Sequence, residues 1–249
     1  MEEFLNKRKS RLVAVSLLII LSVVVIFAGS RLYSQYREQV IRTEESQLLT
    51  MAGIVGNNLN SYMEQQLEEI DLFYSREGMP ENVWAESGGI NARTAYFLKE
   101  NAGVYNWITV TEPDGTKFRY EPGEKTFRES ADGEVKAVDS QDGNHPAEIT
   151  GKEISDQTGW YELYIEKNIP VGSEVYMLTF AMDLGALYEK IVAPVKIGEA
   201  GYSSVKDQNM NIIMHHVKNQ IGLEAVDGRI ERYPYLDMSS LNAWIMRQE

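Results

Sequence analysis

The histidines are the first candidates for metal chemistry in this chain. His215 and His216 are adjacent, and the third histidine, His145, lies far away in a polar segment. Neighbouring residues of a β-strand point to opposite faces, so the pair is predicted not to share one ion. A metal site needs three or four convergent ligands, and the chain has no cysteine to complete one. The sequence therefore predicts no metal site and no cofactor.

Catalytic motifs are not found in the sequence. It has no serine nucleophile elbow, no glycine-rich phosphate loop and no His-Glu-x-x-His segment. Asp114, Asp132, Asp142 and Asp227 each precede a glycine, but Asp-Gly is first a turn signal, and the carboxylates lack the alternating spacing of a calcium loop. We therefore expect no catalytic residues and no enzyme activity in this chain.

Aromatic and charged residues on predicted strands could instead bind a small molecule. Such a pocket needs apolar walls and a few polar anchors, and Arg119 could hold a carboxylate through two hydrogen bonds. A period of two places Tyr105 and Trp107 on one face and sends Arg119 and Tyr120 to opposite faces. The alternative is that the aromatic residues are core and Arg119 is a surface residue. The candidate ligand-binding residues are Tyr105, Trp107, Arg119, Tyr120, Trp160, Tyr161 and Asp183, drawn from a group that also includes Tyr164.

The N-terminal part of the chain predicts a membrane anchor. Residues 12–30 are nineteen uncharged residues, and at about 1.5 Å per residue such a helix spans the hydrocarbon core of a bilayer. Basic residues cluster in residues 1–11, so the positive-inside rule predicts a cytoplasmic tail and places residues 31–249 outside the cell membrane. A cleaved signal peptide is the alternative, because Ala28-Gly29-Ser30 offers small residues for cleavage, although the apolar run exceeds the usual signal-peptide core.

The charge of the chain limits its partners. The net charge is −13, and residues 1–11 carry +2, which leaves −15 for the rest. An acidic body argues against nucleic acid, because phosphate binding depends on lysine and arginine. The expected partners are a small molecule of unknown identity and the membrane.

Helical and strand patterns divide the region outside the membrane. Residues 31–77 predict a long helix, because apolar residues recur at steps of three and four from Leu48 to Phe73. This stripe packs either on the following domain or on a second copy of the helix. Strands are predicted at 104–110, 116–120, 147–154, 160–169 and 174–182, with a surface loop at 130–146 and a short helix at 183–192 capped by Asp183. A second group of elements starts at residue 198, with strands at 199–205 and 210–215 and a helix at 239–247, and we expect it to be incomplete at Glu249.

This second group carries a recognisable pattern. Its pieces are Gly198, Gly201, Tyr202, Asp207, Ile212, Ile213, His215, Ile221 and Gly222, with Met182-Asp183-Leu184 and Leu187 before them. In this order they resemble the double Cache family of bacterial extracytoplasmic sensor domains. The resemblance covers about residues 32–249, and Met210 stands where the family has a turn glycine.

The resemblance implies an α+β fold: a transmembrane helix, a long helix, a PAS-like antiparallel-sheet lobe at 78–192 and a partial second lobe at 193–249. One face of the distal sheet would lie on the long helix and the other would line the pocket. The family's amino-acid signature, a Tyr followed by an Arg and a Trp-Tyr pair, is not found, so amino-acid sensing is not predicted.

The resemblance also implies a function. The chain would be the small-molecule sensor region of a histidine kinase, diguanylate cyclase or chemotaxis receptor whose output module is absent here, and it would act as a homodimer. The alternative is a membrane-tethered structural or assembly protein without a ligand.

Overall fold

The computed structural model describes most of the chain. The described residues are 2–75, 89–123, 125–129, 145–171, 174–196, 201–235, 237 and 239. Their side chains are described as well, except in 2–17 and 125–129. The chain forms two compact units, Met1–Gly53 and Ile54–Glu249. Most of the predicted 130–146 loop, nearly all of the predicted 239–247 helix, and Gly198 lie outside the described residues.

The first helix, α1, spans Glu2–Tyr74. Within the described residues it is the one helix that is long and apolar enough to cross a membrane, judged by length and composition. Its apolar side chains between Leu18 and Phe27 are all exposed, as a lipid-facing surface requires. The helix is continuous through residues 30 and 31, where the predicted anchor ends and the predicted long helix begins.

In the second unit, the apolar stripe of α1 packs into the core. Val55 and Ile70 are buried, and Leu59, Met63 and Leu67 are half-buried against the same cluster. These positions recur at steps of three and four, so a single face of the helix meets the sheet. The packing alternative for the stripe is therefore confirmed from Val55 onward.

A six-stranded antiparallel sheet forms the centre of the second unit. Its strands are β1 (Tyr105–Thr111), β2 (Lys117–Glu121), β3 (Lys125–Glu129), β4 (Glu148–Ile154), β5 (Tyr161–Val171) and β6 (Glu174–Asp183). Their order is β3-β2-β1-β6-β5-β4. Five of these strands confirm the sequence prediction, and β3 was missed. The strands β1 and β6 are central, so the residues they carry lie in the middle of both faces.

The helix α2 (Gly89–Glu100) covers one sheet face together with α1. Aromatic rings fill this contact: Phe97 lies 5.8 Å from Tyr105 and 5.7 Å from Phe180, between ring centroids, and Tyr74 lies 5.9 Å from Phe180. Edge and tilted ring contacts of this kind stabilise a core beyond the burial of their area. This aromatic cluster holds the sheet to its two helices.

The chain leaves the sheet through a short helical segment. Helix α3 (Leu184–Leu187) continues into a π-helical turn, Tyr188–Val192. The carboxylate of Asp183 accepts a hydrogen bond from the Gly185 N–H at 2.8 Å, which confirms the predicted N-cap. The remaining elements are β7 (Val205–Lys206), β8 (Ile212–Met214), a 3₁₀ turn (Lys218–Gln220) and α4 (Asp227–Arg232).

The turn between β7 and β8 contains a strained residue. Met210 has φ of 62°, in the left-handed region that glycine adopts most readily. The left-handed conformation costs a non-glycine residue about 1–2 kcal/mol, and glycine loses about 0.5–1 kcal/mol through its freer unfolded chain. We therefore expect Met210→Gly to raise the free energy of unfolding by about 0.5–1 kcal/mol in urea titrations. Asn209→Gly is the control and should bring no gain; a loss of stability in Met210→Gly would contradict this account of the turn.

Candidate ligand-binding site

The two faces of the sheet differ in what they carry. The face toward α1 and α2 is apolar, with Ile108, Val110 and Phe180 all fully buried. The opposite face carries polar and aromatic side chains from the four strands β2, β1, β6 and β5. Cross-strand register places Thr109 opposite Arg119 and Thr179 on this second face. We call it the Trp107 face, defined by Trp107, Thr109, Arg119, Glu162, Tyr164 and Thr179.

Trp107 is the centre of this face. Its indole Nε1–H donates to Glu162 Oε2 at 3.1 Å, and the side-chain amide of Asn106 donates to Glu162 Oε1 at 2.8 Å. The Tyr164 ring lies 5.6 Å from the Trp107 ring, between centroids. On the other side, the guanidinium carbon of Arg119 lies 4.5 Å from the centre of the indole ring. An aromatic platform is thus flanked by a cation and a carboxylate.

The carboxylate of Glu162 is the least expected part of this arrangement. The residue is only 6% exposed, although it is charged. A buried carboxylate is stable only when its oxygens are hydrogen-bonded, and Asn106 and Trp107 supply one donor to each oxygen. Each carboxylate oxygen accepts more than one hydrogen bond, so Glu162 retains acceptor capacity.

Tyr164 and Arg119 are held by acidic neighbours. The Tyr164 hydroxyl donates to Glu153 Oε2 at 3.1 Å, and burial followed by this hydrogen bond and the charge of Glu153 raises the pKa of Tyr164 to about 12. Tyr164 therefore remains a neutral hydrogen-bond donor at physiological pH. Arg119 Nε forms an ion pair with Glu121 Oε1 at 3.2 Å.

A β-bulge determines which aromatic residue reaches the Trp107 face. The β1–β6 register shifts at Asn106, so that Tyr105 faces Met182 and Trp107 faces Ala181. Tyr105 consequently points to the helices, where its hydroxyl donates to Gln66 Oε1 at 3.1 Å. The prediction that Tyr105 and Trp107 share a face was wrong, because the bulge adds one residue between them.

The other predicted residues are dispersed. Tyr120 is buried on the helix side, which confirms that it and Arg119 point to opposite faces. The Trp160 ring is buried 5.2 Å from the Tyr188 ring. Tyr161 lies beside Lys152, and Asp183 caps α3. Of the candidate ligand-binding residues, the structure brings only Trp107 and Arg119 together on the Trp107 face.

Sequence reasoning missed Glu162 and Asn106. Glu162 lies between Tyr161 and Leu163 in the sequence. Because successive strand residues point to opposite faces, the alternation in β5 could have placed Glu162 on the face opposite the apolar one. Asn106 had no such signal, because its position depends on the bulge.

The two histidines lie closer together than predicted. The strand β8 ends at Met214, so His215 and His216 are not strand neighbours, and their ring centroids are 4.6 Å apart. The prediction that they point to opposite faces was therefore wrong. Burial, then the neighbouring His216 and Arg229, lower the pKa of His215 to about 4, against the effect of Val217. No cluster of three or more potential metal ligands occurs among the described residues.

A cleft lies on the helix side of the same unit. It has a volume of about 220 Å³, and Tyr62, Asp183 and Lys190 are among its lining residues. The Lys190 ammonium already lies 4.5 Å from the centre of the Tyr62 ring. The cleft therefore also combines a cation with an aromatic ring.

Comparison with known proteins gives likeness at the level of fold. Neither a protein-family model nor a curated protein matches the chain. The ligand-binding domain of Mlp24 with asparagine matches with a TM-score of 0.52 and 16% identity, covering 81% of this chain and 81% of that chain. The extracellular domain of a proposed histidine kinase, vpHK1S-Z8, matches with a TM-score of 0.51 and 16% identity, covering 76% of this chain and 77% of that chain.

These likenesses define a class of fold: an α+β arrangement in which a long N-terminal helix packs on an antiparallel sheet. Within that class the chain has the Cache-type sensor-domain fold, and the fold prediction is confirmed. At 16% identity the likeness concerns the fold, and it does not transfer a ligand or a receptor type.

Proposed function

We propose that this chain is the extracytoplasmic sensor region of a membrane receptor and that it binds a small molecule on the Trp107 face. One observation carries the proposal: an indole ring flanked by a guanidinium and a buried carboxylate on a sheet of sensor-domain fold. A few placed polar groups beside aromatic walls are typical of small-molecule sites.

The polar groups suggest the chemistry of the ligand. The guanidinium of Arg119 suits a carboxylate, because its planar N–H groups match two carboxylate oxygens. Glu162 retains acceptor capacity for an amine or hydroxyl donor. A small organic acid with a nearby donor group fits both residues. Asparagine, the ligand named for Mlp24, is one such molecule, but the missing amino-acid signature means that other carboxylates belong in the same screen.

The membrane arrangement belongs to the same proposal. The basic tail predicts a cytoplasmic N-terminus, with the second unit outside the membrane. A homodimer would use α1 before Val55, since the later part of the stripe packs within its own unit. Light scattering of the chain in nanodiscs tests this; a mass of one protein chain per disc would contradict the dimer.

The ligand proposal is tested with the full chain in nanodiscs. A thermal-shift screen of amino acids and organic acids should yield a ligand that raises the melting temperature. Arg119→Gln should then weaken its affinity by about tenfold or more, because hydrogen bonds to charged groups contribute about 1.5–3 kcal/mol. Lys99→Gln, on the exposed side of α2, is the control and should bind normally.

Two outcomes would count against this proposal. One is a screen in which no small molecule raises the melting temperature, which would favour a membrane-tethered structural protein. The other is a confirmed ligand whose affinity is equal in the wild type, Arg119→Gln and Lys99→Gln. That result would leave the sensor function in place but remove Arg119 from the site.

A further inference from the structure

The cleft of about 220 Å³ lies against α1, on the side of the sheet opposite the Trp107 face. Its walls come from α1, from the turn before β1, from the end of β6, and from α3 with the π-helical turn that follows it. All four stretches of chain belong to the second compact unit. The cleft is therefore a space within one unit, and none of the described residues that line it belongs to the Trp107 face.

Apolar residues form much of the wall of this cleft. Met182 and Leu187 are buried there, and Val104 is half-buried. Sites for small molecules typically have apolar walls and a few placed polar groups, and those that hold drug-sized ligands have volumes of about 300 Å³ or more. A cleft below that size suits a smaller molecule with an aliphatic body.

Two residues of opposite charge line the same cleft. Asp183 ends β6, and Lys190 lies seven residues later in the π-helical turn. Ala186 and Leu187, which lie between them, line the cleft as well. Steps of three and four residues place neighbours on one face of a helical segment. One wall of the cleft therefore presents a carboxylate and an ammonium group.

Both charged groups are held in place and retain capacity for hydrogen bonds. Asp183 Oδ1 accepts the hydrogen bond from the Gly185 N–H, and a carboxylate has a second oxygen that can accept others. The Lys190 ammonium lies 4.5 Å from the centre of the Tyr62 ring, a contact that orients the cation but leaves its N–H groups able to donate to an oxygen atom. None of the ion pairs between described residues involves Asp183 or Lys190.

We propose that this cleft is a second binding site, for a small aliphatic zwitterion whose ammonium group pairs with Asp183 and whose carboxylate pairs with Lys190. Asp183 repels a ligand that is only an anion, and Lys190 repels a ligand that is only a cation. A ligand with both charges complements both residues, and its carbon atoms contact the apolar wall at Val104 and Met182. The site does not depend on the Trp107 face.

The experiment uses the full chain in nanodiscs of phosphatidylcholine and three molecules of similar length: 4-aminobutyrate, butyrate and butylamine. The first carries both charges, the second lacks the ammonium group, and the third lacks the carboxylate. Calorimetric titration, with empty nanodiscs as the blank, should show that 4-aminobutyrate binds at least tenfold more tightly than either of the others. The reason is that each of the others loses one hydrogen-bonded charge pair.

Substitutions of the two charged residues test the assignment of the site. Lys190→Gln and Asp183→Asn should each weaken the binding of 4-aminobutyrate by about tenfold. Because asparagine caps a helix about as well as aspartate, Asp183→Asn removes the charge and retains the N-cap of α3. The matched control is Lys196→Gln, an exposed lysine that does not line the cleft, and this variant should bind like wild type.

A second measurement does not depend on the folding of a variant. In wild-type protein with ¹³C-labelled methionine methyl groups, the resonance of Met182 should move in a saturable way as 4-aminobutyrate is added. The resonance of Met177, about 17 Å away along β6, should stay in place. The proposal is overturned if Met182 does not respond, if 4-aminobutyrate binds no more tightly than butyrate or butylamine, or if Lys190→Gln and Lys196→Gln bind equally.

Discussion

Asp71→Asn is expected to lower the free energy of unfolding by about 3 kcal/mol. Lys167 is 7% exposed at its side chain, and its ammonium lies 2.8 Å from Asp71 Oδ1 and 2.7 Å from the carbonyl oxygen of His145. Removal of the carboxylate charge leaves a buried cation without its partner, which costs about 3–5 kcal/mol. The Asp71 side chain is 31% exposed, so we expect the loss of stability to lie at the lower end of this range.

This ion pair also determines how α1 is fixed to the sheet. Asp71 Oδ1 accepts a second hydrogen bond from the Ala147 N–H at 2.8 Å, so one carboxylate joins α1, β5 and the segment before β4. Urea titration measures the loss, with the exposed Glu68→Gln on the same helix as the control. Adding Lys167→Met to Asp71→Asn should recover most of the stability, because the unpaired charge is removed. Equal stability of Asp71→Asn and wild type would contradict this role.

Gly185→Ala is expected to lower the free energy of unfolding by about 2–3 kcal/mol. A Cβ atom at residue 185 would lie 2.7 Å from Cδ1 and Cγ of Trp160, a buried ring that packs against Tyr188. Overpacking of a filled core costs about 1–3 kcal/mol, and a bulky indole with a ring on its other side has little room to move.

The matched control for this substitution is expected to change the free energy of unfolding in the opposite direction. Gly56 lies in α1, and a Cβ atom added there would meet no neighbouring atom within 4 Å, so Gly56→Ala should raise the free energy of unfolding by about 0.5–1 kcal/mol. Thermal melts separate the two variants, and near-UV circular dichroism reports the displacement of Trp160. A Gly185→Ala protein as stable as wild type would show that Trp160 is not tightly packed there.

Much of the fold was predictable because it follows from periodic patterns. The stripe from Val55 to Phe73 has helical spacing, and the β-branched and aromatic runs of β1, β5 and β6 are typical strands. The N-cap at Asp183 was predictable from a short polar side chain before an apolar helix. The edge strand β3 was missed, since its Lys-Thr-Phe-Arg-Glu sequence has one apolar residue and alternates only weakly.

The candidate site was predictable only in part. Trp107 and Arg119 could be named from residue type, but their neighbours depend on pairings between distant strands. The bulge at Asn106 separates Tyr105 from Trp107, and it has no local sequence signal. Glu162 joins Trp107 through a contact between residues 55 positions apart, which no local pattern encodes.

Calorimetric titration of the screened ligand against wild type and Trp107→Ala tests the central claim most directly. Tyr96→Ala, which removes an exposed aromatic ring from α2, is the matched control. We predict that Trp107→Ala weakens ligand binding by about 30-fold or more, as expected for an aromatic residue at the centre of a site, and that Tyr96→Ala binds like wild type. Equal affinity in Trp107→Ala and wild type would contradict the assignment of the Trp107 face as the ligand-binding site.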